Sequence, residues 1–195
     1  MKNFNNPITS CCCSCGMKKA ICEINILSDL IESYTVYYTC GSSNGVIKES
    51  DYPNFVLLQE SNSSDIKNIN LCIEDILFIQ IEPKQGDYQS IINLLNNKYT
   101  SPFTLNIPCD ENCCCKSSVA AYLKDKYLEP DPSKKTFIIQ VNGQNNNTIP
   151  NVAENLINSH KVSLVQLNYD VAWILDYNGK TLYLVSLCNV GALID

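Results

Sequence analysis

Histidine is almost missing from this chain of 195 residues: His160 is the only one. Tryptophan is also single, at Trp173. Charged residues make up 17%, well under the roughly 25% of an ordinary soluble domain. Each shortage excludes something. One histidine leaves almost no material for mixed Cys/His metal sites or for a Cys–His nucleophilic dyad. His160 lies in Asn158-Ser-His-Lys161, a turn ahead of a strand pattern, where a solvated side chain is the simpler reading. A weakly charged surface suits a protein that neighbours cover. Basic residues (14) are fewer than acidic ones (20), and the net charge is −6. An acidic chain without a basic patch does not attract phosphate backbones, so no nucleic-acid partner is expected.

No apolar run approaches the ~18 residues of a membrane helix, so no membrane partner is expected. Residues 1–10 (MKNFNNPITS) contain no apolar h-region, so the expectation is a protein made without a signal peptide. Ile8–Cys11 (ITSC) faintly resembles a lipoprotein cleavage box but lacks the apolar segment before it. There is no phosphate-binding glycine loop, no G-x-S-x-G and no H-E-x-x-H. Glu74-Asp75 and Glu129/Asp131 fall in turns, where acids face water. The expectation is therefore no enzyme and no cofactor.

Cysteine, by contrast, is abundant, at twelve. Cys11, Cys12, Cys13 and Cys15 form one run (CCCSC), and Cys113, Cys114 and Cys115 form another, with Cys109 just ahead. A bridge needs Cα atoms about 4.4–6.8 Å apart and converging Cβ vectors. Adjacent cysteines diverge, so a run does not pair neatly with itself but offers thiols to other chains, to a metal or to the other run. All eight are candidates for intermolecular disulfides. The alternative is a four-thiolate zinc site from Cys12, Cys15, Cys109 and Cys113, since Cys12-x-x-Cys15 has zinc-knuckle spacing. Adjacent cysteines would crowd a single tetrahedral ion. Persistent disulfides imply an oxidising location. Cys72 and Cys188, at strand ends among apolar residues, are expected to be inert core thiols. Cys22 and Cys40 fit either role.

The sequence also reads as one unit begun twice. Cys11–Cys13 recurs as Cys113–Cys115, and Cys40-Gly41 recurs as Asn142-Gly143, both at an offset of 102 (113 − 11; 143 − 41). Val46 matches Val162, and Leu71-Cys72 matches Leu187-Cys188, at 116 (162 − 46; 188 − 72). The change of offset places an insertion, GQNNNTIPNVAENLINSH, in the second copy. In the first copy Asn25–Glu32 reads as a short amphipathic helix. Tyr34–Cys40, Val46–Glu49, Asn54–Glu60, Ile69–Ile73 and Ile76–Ile81 read as strands, with Gly41–Gly45 a turn. Tyr34, Tyr37 and Tyr38 fit a half-exposed strand surface. In the second copy Lys116–Tyr127 reads as helix, and Thr136–Val141, Val162–Leu167, Asp170–Asp176, Lys180–Leu187 and Val190–Ile194 as strands. Asn178-Gly179 marks a hairpin, Pro150 opens a short helix over Asn151–Ser159, and Trp173 reads as core. Between the copies, Tyr88–Tyr99 reads as a helix packed between them and Ser101–Pro108 as extended.

A short helix followed by five short strands resembles the Sm-like small barrel. The stretch LSDLIESYTVYYTCGSSNGVIKESDYPNFVLLQE…INLCIEDILFI resembles the form found in cysteine-rich spore-surface proteins of endospore-forming bacteria. ITSCCCSC is similar to the cysteine arm of spore-appendage subunits, which have a different β fold. The nucleic-acid loop motifs of true Sm proteins are absent. The fold implied is mainly β with short helices, as two tandem five-stranded Sm-like barrels. The expected divisions are an arm at 1–20, a first barrel at 21–82, a connecting helix and extended segment at 83–112, and a second barrel at 113–195 with its insertion at 144–161. The function implied is a self-assembling structural protein of the spore coat, exosporium or appendage. It would be made in the mother cell, partner itself or other cysteine-rich spore-surface proteins, and be cross-linked from Cys11–Cys15 to Cys109 and Cys113–Cys115 of a neighbour. The alternative is an intracellular zinc- or thiol-binding module that does not assemble.

Overall fold

The computed structural model describes residues 13–39, 41–49, 55–61, 66–84, 88–98, 114–128, 135–141, 161–168, 170–176 and 181–194. Helix α1 spans Cys13–Ile26 and buries Met17, Ala20, Ile21 and Ile24, a stripe at helical spacing. A single 3-10 turn at Ser28–Leu30 then delivers the chain to β1, Ile31–Tyr38. Strands β2 (Gly41–Glu49), β3 (Phe55–Ser61) and β4 (Ile66–Cys72) follow. A second 3-10 turn, Ile73–Asp75, leads into β5, Ile76–Pro83. Helix α2, Tyr88–Lys98, buries Ile91, Ile92 and Leu95 and packs against the Ser28–Leu30 turn. Helix α3, Cys114–Tyr127, precedes β6 (Ile138–Val141), β7 (Ser163–Asn168), β8 (Val171–Asp176) and β9 (Thr181–Ser186). A 3-10 turn at Leu187–Asn189 then leads into β10, Val190–Ile194.

The fold is mainly β. Eight strands form one antiparallel sheet in the order β4-β3-β2-β1-β5-β9-β8-β7, and β10 pairs with β6 in a sheet of two. Phe137, just before β6, joins Val162, just before β7, through two backbone hydrogen bonds of 2.9 and 2.8 Å. The whole path therefore runs through one order twice, β4-β3-β2-β1-β5 and then β9-β8-β7-β6-β10. The described strands do not form the two tandem five-stranded barrels expected, and neither strand set closes on itself. They form a continuous sheet, because β5 of the first set pairs with β9 of the second.

The register repeats along with the order. Tyr38 faces Ile76 and Tyr37 faces Phe78, a step that skips Leu77. Val141 faces Val190 and Gln140 faces Ala192, a step that skips Gly191. Strand β6 thus follows β1 by 103 residues (141 − 38) and β10 follows β5 by 114 (190 − 76). The pairs closing β3–β4 and β8–β9 ahead of their 3-10 turns are Phe55–Cys72 and Val171–Ser186, offset by 116 (171 − 55) and 114 (186 − 72). The offsets read from cysteine and glycine identities need correction. The front offset is one residue short, and the Leu-Cys identity is two residues out, since Cys72 corresponds to Ser186.

Strand β2 pairs with β1 through residues 41–45 and with β3 through residues 46–49. Gly41–Gly45, expected as a turn, is therefore the first half of a strand that changes partner at Gly45. A Cβ on Gly45 would lie 2.3 Å from the Gln59 carbonyl oxygen, so only glycine lets the two backbones approach this closely.

Alternation along the strands separates two cores. On β8, Val171, Trp173 and Leu175 join α1 and α2, while Ala172 and Ile174 join α3 on the other face. On β9, Leu182 and Leu184 divide from Tyr183 and Val185 in the same way. Both strands are buried along their whole length, as expected of strands covered on both faces. Helix α1 reaches β8 and β9, and α2 reaches β7, so the first core spans both strand sets.

Several other expectations change. Residues 13–20, placed in the arm, begin α1, with Met17 and Ala20 fully buried. Asn25–Glu32, read as a helix, instead contains the end of α1, a 3-10 turn and the start of β1. Tyr34 and Tyr37 are buried rather than half-exposed, because α1 covers one and the Tyr37 ring stacks on Phe78 with centroids 4.3 Å apart. Cys72 and Cys188 are free and half-buried rather than core. Trp173 is fully buried. Strands β8 and β9 pair on either side of Asn178-Gly179, which itself lies outside the described residues, as do Ser101–Pro108, Asn151–Ser159 and His160.

Candidate functional site

The junction between the strand sets is built from β5 and β9. Phe78, Ile79, Gln80 and Ile81 face Val185, Leu184, Tyr183 and Leu182. Isoleucine, leucine and valine at successive positions suit a strand covered on both faces. On the α3 side the Phe78 ring meets the edge of Tyr183, with centroids 6.2 Å apart. The Tyr37 hydroxyl donates to Gln80 Oε1 at 3.2 Å, and Gln80 Nε2 donates to Glu82 Oε1. Asn189 Nδ2 donates to the Ile76 carbonyl at 3.3 Å and ties the last 3-10 turn to the start of β5.

These tyrosines are kept neutral. Burial raises the Tyr183 hydroxyl far above its ordinary value, the carboxylates of Asp176 and Glu82 and the nearby Tyr37 push it the same way, and a hydrogen bond with Thr181 opposes them. Burial, followed by Glu82, also raises Tyr37. Burial alone pushes Tyr34 up to about 12. None of the three is an activated nucleophile. The cluster stitches β1, β5 and β9 together.

The two ends of the path are different in kind. Strand β4 has no partner on its outer side among the described residues, and neither has β10. Ile66 on β4 is 69% exposed and Ile194 on β10 is 43% exposed. Sequence reading identified both strands but could not identify them as ends. Which strands lie at the edges depends on pairing between residues more than a hundred positions apart.

The cysteine runs lead into two of the three described helices that pack on the sheet, α1 and α3. Cys13 and Cys15 fall in the first turn of α1, and Cys114 and Cys115 in the first turn of α3. Helix α1 packs in one core and α3 in the other, on opposite faces of the sheet. Cys11, Cys12, Cys109 and Cys113 lie outside the described residues, and with them most of the four-thiolate zinc candidate. Among the described residues no group of three or more His, Cys, Asp or Glu gathers where it could hold a metal. Glu74 and Asp75 are exposed in their 3-10 turn. No helix among the described residues is long and apolar enough to cross a membrane. Comparison of the chain with known protein families, with curated proteins and with solved structures gives no match.

Proposed function

We propose that this chain is a self-assembling structural protein of the spore envelope, in coat, exosporium or appendage, with no catalytic role. Its two strand sets are repeated units of Sm-like strand outline joined in one sheet, and its cysteine runs cross-link neighbouring copies. The observation that carries the reading is the position of the runs. They enter helices that lie on opposite faces of one sheet. Runs that enter opposite faces offer their thiols in two directions, and so to two neighbours. A bridge between chains only needs the front of one copy to meet the α3 face of the next. Such a contact joins two different surfaces and propagates as a ring or a filament. The Sm-like outline is supported by the repeated order and register, and by β2, which curls from β1 to β3 at Gly45.

Electron microscopy of the purified protein under oxidising conditions tests the reading. Regular filaments, rings or sheets are expected, together with a high-mass ladder on a non-reducing gel. A monodisperse monomer carrying stoichiometric zinc would replace it with the zinc- or thiol-binding module.

A further inference from the structure

We propose that β10 of one chain pairs antiparallel with the outer edge of β4 in a second copy, in the register that β5 and β9 use within the chain. This rests on the self-assembly reading and specifies the contact.

Each strand set runs in the order fourth-third-second-first-fifth, with β9 the fourth and β10 the fifth strand of the second set. The junction inside the chain joins the fifth strand of one set, β5, to the fourth strand of the other, β9. Among the described residues, what remains at the two ends is a fourth strand, β4, and a fifth strand, β10. A second copy therefore presents the same kind of edge that the chain already pairs internally. The common offset of 114 (190 − 76; 186 − 72) carries the internal register over. Phe78–Val185, Ile79–Leu184 and Gln80–Tyr183 become Ala192–Leu71, Leu193–Asn70 and Ile194–Ile69.

The composition of the edges is a separate support. Monomeric proteins guard their edge strands with charge, proline or bulges, because unpaired N–H and C=O groups recruit other strands. Strand β10 reads VGALI and carries no charge, and its bulge at Gly191 has its counterpart at Leu77 of β5, which pairs with β9 nonetheless. Strand β4 reads IKNINLC and carries one, Lys67, which lies outside the three pairs above and is held by Glu60 of β3 at 3.6 Å. Exposed isoleucines, Ile66 and Ile194, stand on the two edges. Main-chain pairing gives such an added strand its affinity, and alternate side chains give it register. Because the edges differ, the contact is heterologous and leaves one of each kind open at the ends of any linear array.

The test uses the full-length chain in reducing buffer, so that disulfides contribute nothing. Asn70, exposed on β4, is replaced by a photo-cross-linking phenylalanine analogue. Isotopically heavy and light chains are mixed, irradiated and mapped by mass spectrometry. Heavy–light cross-links from position 70 into residues 190–194 are expected. Ile194→Lys is expected to leave the urea midpoint of the dissociated chain unchanged and to raise the protein concentration needed for assembly at least 10-fold. Cross-links that stay within one chain, for example to residues 99–113, overturn the inference. So do cross-links that reach another surface of a neighbour. If assemblies form with such cross-links, this contact is wrong and self-assembly stands. If the chain stays a monomer at every concentration, reduced or oxidised, both fail.

Discussion

Ile79 of β5 faces Leu184 of β9, and through this pair two strand sets of the same order become one sheet. Both residues are fully buried in the core that α1 and α2 cover. The sets therefore share a core as well as a sheet edge, and they are expected to unfold together. Far-ultraviolet circular dichroism reports all strands, while the fluorescence of Trp173 reports β8 alone. Coincident urea transitions are expected from the two probes. Leu184→Ala should lower both midpoints together, with a loss of about 2–5 kcal/mol. Two separated transitions would show that the sets are independent.

Trp173 is the largest fully buried side chain, and no hydrogen-bond partner is described for its Nε1. Trp173→Ala should cost about 3–5 kcal/mol through the cavity it leaves. Trp173→Phe keeps most of the volume and removes the unpartnered donor, so its cost should be distinctly smaller. Chemical denaturation of the two variants, followed by circular dichroism, checks the difference. Equal costs would mean that packing around the indole is not what matters.

Gly45 stands where β2 leaves β1 for β3. Gly45→Ala puts a methyl group against the Gln59 backbone, which cannot rotate out of the way as a side chain can. A loss of about 1–3 kcal/mol is expected, as for an overpacked core position. Val46, the next residue, is 53% exposed and serves as the control. Val46→Ala should change the denaturation midpoint little.

Tyr34 makes stability depend on alkaline pH. Its hydroxyl is buried beneath α1, donates to the Ile24 carbonyl at 3.4 Å and is pushed up to about 12. In the unfolded chain it ionises near 10. The folded state holds the proton longer, so this contribution is fully present below pH 10 and is lost as pH rises towards 12. The loss attributable to Tyr34 is on the order of 2–3 kcal/mol. Tyr34→Phe should fall less steeply than wild type over that window and match it closely at pH 8. Urea midpoints of reduced, alkylated protein at both pH values check this, and parallel slopes would show that Tyr34 does not carry the effect.

Much of the strand layout was legible because the elements are local. Asn54–Glu60, Ile76–Ile81 and Asp170–Asp176 show apolar, β-branched patterns bounded by turn residues, and β3, β5 and β8 lie there. Helix α1 was missed apart from its last two residues, because Cys13–Gly16 carries no apolar period, and the helix is fixed instead by burying Met17, Ala20, Ile21 and Ile24. The Gly41–Gly45 stretch has turn composition, but pairing with β1 overrides it. The repeat was visible, yet its frame was not, since matching identities favoured Cys188 where register selects Ser186. The edges and the joined sheet arise from β5 meeting β9 about a hundred residues later, and no local pattern encodes that pairing. Of the site residues, Cys13, Cys15, Cys114 and Cys115 fall in helix first turns, a position that the cysteine spacing alone does not imply.

The most direct test of the central claim is a disulfide map of material assembled from equal parts of isotopically light and heavy chain. After oxidation, digestion without reduction and mass spectrometry, peptides carrying Cys11, Cys12, Cys13 and Cys15 should be found linked to peptides carrying Cys109 or Cys113–Cys115. About half of those linked pairs should join one light to one heavy peptide, the random expectation when the two thiols come from different chains. Linked pairs found only as light–light and heavy–heavy would place the bridges within single chains, and the cysteine runs would then not be the cross-links of an assembly.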